Sequence, residues 1–278
     1  MNCDTDEKAE EKLWHYMSLE KCLWLLKDKQ PYFRNLIALR RADEREGMIP
    51  PWLQRLVDYA RTQKEFDERP REVSKPLEAE ANRSYVFCWN KDECESSLMW
   101  AAYGDNGKGV CLQTTRNKML GLPVPVGPRC PFSIYACEVD YIDHNDQSSS
   151  EKIYERLKPQ YSLAQFKSRE FKWENELRMV AVLASENFEG DPVKQTEGKC
   201  FPVGGAEQKL DKVLNKFVWE FKFNEALEKL IAGPRMDPKT FAFLKELVER
   251  EFPVRFEFSS IAQETQKPNA TPLIGTQT

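Results

Sequence analysis

The sequence predicts an α+β fold, with mixed, mainly antiparallel sheets and peripheral helices. Three observations lead there. Short apolar or alternating runs of strand length recur along the chain, helix-length amphipathic segments fall between them irregularly, and the regular strand-helix-strand beat of a doubly wound sheet is missing. The glycine run 104–109 lacks the spacing and the following helix of a phosphate-binding or dinucleotide loop, so it reads as a hairpin turn. No internal repeat is visible.

Taken in order, residues 1–11 are polar and read as a flexible N-terminus, 12–261 as one elaborated domain, and 262–278 as a disordered polar tail. Residues 13–17 form a short expected strand, and Ser18 is a good N-cap for a helix carrying Leu19, Cys22, Leu23 and Leu26 on one face. A second strand is expected over 31–36, then a charged loop from Asp43 to Gly47, then a helix begun by Pro50 and Pro51 with Trp52, Leu53, Leu56 and Val57 as its stripe. Residues 65–82 are charged and hold Pro70 and Pro76, which suggests a mobile connection or lid. A central strand is expected over 84–89, a short helix over 95–103 stopped by Gly104, and strands over 109–113 and 134–141. Ser148 to Ser150 precede a helix with Ile153, Tyr154 and Leu157, and a second helix with Phe166 and Phe171 leads to the apolar run 179–183. Strands over 199–203, 217–221 and 226–232, an Asp237-capped helix with Phe241, Leu244, Leu247 and Val248, and a strand over 254–258 complete the reading.

Composition excludes several classes. With 41% hydrophobic residues the chain can bury a substantial core. A net charge of -4 gives no footprint for strong non-specific nucleic-acid binding. No apolar run reaches the ~18 residues a membrane span needs, and the acidic start lacks the apolar core of a signal peptide, so the expected compartment is the cytoplasm. The eight cysteines form no C-x-x-C pair and have only His15 and His144 beside them, so no structural metal site is expected and the thiols read as reduced.

Chemistry concentrates in the stretch 167–178, where Glu174, Glu176 and Arg178 precede the apolar run. If the strand starts early, alternation puts all three on one face. Other reactive side chains sit at element ends: His15 and Tyr16 in the first strand, Asp43 and Glu46 in the early loop, Glu95 and Ser96 at a helix start, Tyr103 at its end. Trp89, Trp100 and Trp173 read as core anchors.

The residues Leu-Trp-His-Tyr-Met-Ser at 13–18, Asp43-x-x-Glu46-Gly47, the run 85–89, Glu95-Ser96-x-x-Met99-Trp100-x-x-Tyr103-Gly104 and Trp173-Glu174-x-Glu176-x-Arg178 resemble, in this order, the motif series of a large uncharacterised bacterial domain family. The loop at Asp43 departs from it, lacking the proline and aromatic usual there. At the level of a superfamily, a strand bearing His-Tyr, a Ser-capped helix after it and a late Glu-x-Glu at a strand entrance resemble ADP-ribosyltransferases. That resemblance implies an ADP-ribosyltransferase-like fold and NAD as substrate. Glu176 would stabilise the ribosyl cation, Glu174 would act as base or orient the nucleophile, and His15 would hold the ribose. Tyr16, Ser18 and Tyr103 would shape the nicotinamide pocket, and Arg178 would meet pyrophosphate or carboxylate.

The residues also admit two other readings. Asp43, Glu46, Glu174 and Glu176 could converge on a divalent cation in a nuclease-like site, with Lys172 or Arg178 at the phosphate. Alternatively, Glu174, Glu176 and Arg178 form a structural ion-pair network in a binding or sensor module. The acceptor, whether protein, nucleic acid or water, is not legible.

Overall fold

In the computed structural model, the described residues are 10–28, 33–49, 81–121, 132–145, 163–183 and 223–261, with Pro31, Pro51, Gln54 and Arg55. The stripe of the helix expected after Pro51, most of 65–82, the helix with Ile153 and Tyr154, the strands expected over 199–203 and 217–221, nearly all of 1–11 and the tail 262–278 lie outside them.

The expected first strand is β1 (Lys12–Met17), and α1 (Leu19–Asp28) follows directly, with the Ser18 hydroxyl accepting from the Lys21 amide at 3.4 Å. The second strand shrinks to β2 (Arg34–Asn35), because the Asn35 side chain accepts from the Ile37 amide at 3.0 Å and turns the chain into a 3-10 segment, Ile37–Arg41. Strand β3 (Ser84–Lys91) leads to α2 (Ser97–Ala102), capped by Ser96, whose hydroxyl accepts from the Met99 amide.

The run after α2 is not a hairpin, since it joins a helix to a strand through a 3-10 turn, Asp105–Gly107, in which Gly107 has φ +81°. A Cβ at Gly109 would lie 2.1 Å from the Met17 carbonyl oxygen, so the close approach of β1 excludes any side chain there.

Strand β4 (Val110–Thr115) precedes α3 (Arg116–Leu120). The strand expected over 134–141 divides into β5 (Phe132–Glu138) and β6 (Asp140–Ile142); at the break, the Val139 amide donates to the Glu176 carbonyl at 3.1 Å. The helix expected around Phe166 is instead β7 (Phe166–Ser168) and a 3-10 turn, Arg169–Glu174, before β8 (Glu176–Leu183). The strand expected over 226–232 begins later, as a short α4 (Phe223–Ala226) followed by β9 (Lys229–Ala232). Helix α5 (Pro238–Glu251) and β10 (Arg255–Phe258) close the described chain.

The main sheet runs β10-β9-β4-β1-β3-β8-β5, with β2 also pairing to β3; every pair is antiparallel except β10 with β9, and β6 pairs with β7 in a second, two-stranded parallel sheet. The architecture is thus α+β with a mainly antiparallel sheet and several helices.

Alternation gives the main sheet two different faces. On one, Leu13, Met17, Phe87, Trp89, Leu177 and Met179 pack with Cys22, Leu25 and Leu26 of α1 and Leu244 and Val248 of α5. On the other, Trp14 and Tyr16 meet Met99 and Trp100 of α2, and Val86 and Val180 meet Leu36, Leu163 and Phe166.

Between β1 and β3 the sheet splits. Only Leu13↔Lys91 and Trp14↔Asn90 pair, and farther along β3 takes β2 as its neighbour, through Arg34↔Val86 and Asn35↔Tyr85. The His15 ring occupies the split, with Nδ1 donating to the Cys88 carbonyl at 2.8 Å.

The Asp237 carboxylate accepts from the amides of Lys239 and Thr240, both at 3.0 Å, which satisfies two donors at the start of α5. Asp237→Ala is expected to lower the unfolding free energy, read as a fall in the urea midpoint at unchanged slope.

Candidate active site

Three segments far apart in sequence, the loop from Asp43 to Glu46, Tyr103 after α2 and the run 167–178, meet on the β8 side of the second sheet face. Glu176 opens β8 and Arg178 follows two residues on, so both side chains leave that face. Asn90 and Cys88 are their partners on β3, through Asn90↔Glu176 and Cys88↔Arg178.

Glu174 lies outside the strand. It ends the 3-10 turn, and Asn175, left-handed at φ 41° and ψ 59°, stands between the two acids. Strand alternation therefore does not place Glu174 beside Glu176. A shared lysine does: Lys167 of β7 bonds the Glu174 carboxylate and lies 3.0 Å from Glu176 Oε1. Its ammonium also sits 4.9 Å from the centroid of the Phe171 ring.

Arg178 completes the cluster. Its Nε donates to Glu176 Oε2 at 2.7 Å, and its Nη1 donates to Glu46 Oε1 at 2.7 Å and to the Ala164 carbonyl at 2.8 Å. The early acidic loop is tied in a second time by Asp43, which accepts from the Ser168 amide at 3.1 Å and its hydroxyl at 2.9 Å.

Three carboxylates, Glu46, Glu174 and Glu176, face two cations, Lys167 and Arg178. Buried charge must be balanced, so the arrangement favours one retained proton. It sits on Glu174: burial, the hydrogen bond shared with Glu176 and the Glu176 charge push its pKa up to about 8. Burial alone would also raise Glu176, but the Arg178 guanidinium and the Lys167 ammonium hold it well below the usual carboxylate range. Two neighbouring acids are thereby driven to opposite protonation states.

An aromatic pair covers the cluster. The Tyr103 hydroxyl donates to Glu174 Oε1 at 2.7 Å, and its ring stacks on Trp173 with centroids 6.3 Å apart at 25°. Both are open to solvent, Tyr103 at 39% and Trp173 at 41%, whereas Glu176 beneath is only 6% exposed. Trp173 is thus no core anchor, unlike Trp89 and Trp100, which are buried. It ends up outside because the 3-10 turn points its inward position at Glu174 instead.

The remaining sequence candidates lie elsewhere. His15 is on the opposite face of the sheet from Glu176, its ring 4.3 Å from that of Phe87 and 5.7 Å from that of Trp89, and burial lowers its pKa to about 4. Tyr16 packs edge-on against Trp100, and its hydroxyl accepts from the Ser96 amide at 2.9 Å. The Ser18 hydroxyl is taken up as the cap of α1. Glu95 accepts from Trp100 Nε1 at 3.0 Å and from the Ser260 amide at 2.7 Å, which fastens the segment after β10 to α2. The structure therefore unites Glu174, Glu176, Arg178 and Tyr103 and leaves His15, Tyr16 and Ser18 apart from them. Arg178 is fully buried and turned inward, so it does not face solvent where a pyrophosphate would lie.

Lys167 and Asn90 were missed. A lysine inside the strand-like Phe-Lys-Ser of 166–168 was the available signal, because a charge at an inward position demands a partner. Asn90 gave no comparable signal. For the metal reading, Asp43 and Glu46 are occupied by Ser168 and Arg178, and among the described residues no group of three or more His, Cys, Asp or Glu side chains is placed to hold a metal ion. No helix among them is long and apolar enough to cross a membrane.

No curated protein and no solved structure gives a significant match to this chain. Residues 99–179, the segment that carries Tyr103, Lys167 and the whole run from Glu174 to Arg178, match the model of a family described as Protein of unknown function (DUF2971).

Proposed function

We propose that the protein cleaves the N-ribosyl bond of NAD, as an ADP-ribosyltransferase or NAD hydrolase acting in the cytoplasm, at the acid pair beneath Tyr103 and Trp173. The observation that carries this is a pair of adjacent carboxylates joined through Lys167 beneath the exposed Tyr103 and Trp173, where Arg178 and Lys167 favour the charge on Glu176 and burial favours the proton on Glu174. Departure of nicotinamide leaves positive charge on the ribose, and a fixed carboxylate such as Glu176 stabilises it without reorganising. A pKa of about 8 lets Glu174 give its proton to solvent in a minority of molecules at neutral pH, and in that ionised form it takes the proton of the incoming water or acceptor hydroxyl. Tyr103 and Trp173 provide the exposed aromatic lip for the nicotinamide ring. Substrate entry breaks the Tyr103 to Glu174 bond. His15 has no part in this version of the site.

In the test, NAD is incubated with the protein and nicotinamide release is measured. Trp173→Ala, which alters an exposed side chain, is expected to raise KM, and Glu176→Gln to lower kcat by roughly 10² to 10³. Release by the wild-type chain that does not exceed the buffer rate would sink the proposal, as would undiminished release by Glu176→Gln.

A second reading has its own observation. Both Glu176 oxygens are already engaged, one by Lys167 and one by Arg178, as expected of an ion-pair network that fixes the fold of a binding module. It predicts that NAD leaves the melting temperature unchanged while Glu176→Gln lowers it.

A further inference from the structure

The turn between the two acids is gripped from both sides. On the β5 side, the Val139 amide donates to the Glu176 carbonyl, and Tyr141 accepts from the Glu176 amide at 2.8 Å. On the β3 side, Asn90 Nδ2 donates to the Glu174 carbonyl at 2.7 Å, while the Lys91 amide donates to the Asn175 carbonyl at 2.9 Å and the Asn175 side chain returns a bond to the Lys91 carbonyl. Asn90 is almost fully buried, and its Oδ1 has no partner among the described residues. The side chain is committed through its donor end to one carbonyl, that of Glu174. At Asn175 the backbone is left-handed, a conformation that asparagine and glycine adopt at little cost and alanine does not.

We infer that Asn90 is a positioning residue which, with left-handed Asn175, holds Glu174 and Glu176 on the two sides of Lys167. If the Asn90 bond is lost, the Glu174 carbonyl is freed and the end of the 3-10 turn can rotate. The Glu174 carboxyl then leaves Lys167, Tyr103 and Glu176, the groups that face it. This assignment deepens the proposed function, because the same two acids carry that chemistry, but it concerns their geometry and holds whether or not NAD is cleaved.

The test is a carboxyl ¹³C NMR titration of glutamate-labelled protein without NAD, with the Glu174 resonance assigned by its loss in Glu174→Gln. Asn90→Ala is expected to move the Glu174 midpoint down by at least one pH unit, a tenfold loss of proton affinity. Asn175 is exposed, so its variants provide a second measurement that does not depend on Asn90→Ala folding. Asn175→Gly keeps the left-handed turn and should titrate as wild type, whereas Asn175→Ala should shift as Asn90→Ala does. An unchanged midpoint in folded Asn90→Ala, or identical titrations of the Gly and Ala variants, overturns the assignment. Nicotinamide release is scored separately. Shifted titrations with no release uphold the positioning role and sink the NAD reading, and unshifted titrations with release do the reverse.

Discussion

Arg178→Leu is expected to lower the unfolding free energy by about 3 to 5 kcal/mol, a large part of the 5–15 kcal/mol that holds an ordinary domain together. The guanidinium is fully buried and is the partner of Glu46 Oε1, Glu176 Oε2 and the Ala164 carbonyl. Leucine fills much of the space but leaves two carboxylates deep in the protein, one with Lys167 and the other without its cation. The cost of the substitution is mainly that of the stranded charges, and it exceeds what the intact pair contributes. In thermal melts the shift should be on the order of 10 °C. Arg178→Lys should recover only part of it, because one ammonium cannot reproduce a planar fork that reaches Glu46 and Glu176 at once. Adding Glu46→Gln to Arg178→Leu should recover another part by removing one stranded charge. A midpoint for Arg178→Leu within about 0.5 kcal/mol of wild type would show that the cluster is hydrated and of little structural weight.

The same cluster shows what sequence could and could not convey. The strand bearing His15, the caps Ser18 and Asp237, the central strand around Trp89 and the apolar run after Arg178 were legible because each is a local matter of periodicity or capping. The split between β1 and β3 was not, since pairing is decided between strands about 75 residues apart, as Leu13↔Lys91 shows. Likewise, the alternating spacing of Glu174 and Glu176 suggested one strand face, whereas the actual device is a left-handed residue and a shared lysine from β7. Periodicity carries no information about a backbone reversal at a single asparagine. The placing of His15 turned on strand parity: Leu13, His15 and Met17 share one face, and the pairing of β3 with β8 puts Glu176 on the other. Register across two strand pairs fixed that relation, and the residue types alone could not.

Glu174 should make the protein lose stability as the solution is made alkaline. Its proton is retained in the folded state to about pH 8 and released by the unfolded chain near the ordinary value of 4.5. Between those limits the native state binds more protons than the unfolded one, so stability falls with rising pH, by at most about 1.4 kcal/mol per pH unit for one group. Glu176 does not mask this fall, because its depressed pKa makes a contribution that is lost only in acid, below the ordinary value. His15 does oppose it: a histidine whose pKa is lowered from 6.5 to about 4 adds stability as pH rises through that interval. Net stability should therefore vary little between pH 4.5 and 6.5 on account of these two groups and decline between 6.5 and 8. Urea unfolding of wild type and Glu174→Gln across pH 5 to 9 isolates the effect, since groups that do not touch Glu174 cancel in the difference and Glu176, which does, stays ionised throughout that range. The wild-type advantage over Glu174→Gln should shrink steadily up to about pH 8 and then level off, in step with the Glu174 midpoint found by NMR. Parallel stability curves for the two proteins would mean that Glu174 is ionised throughout, and the opposed protonation of the acid pair would fall with that result.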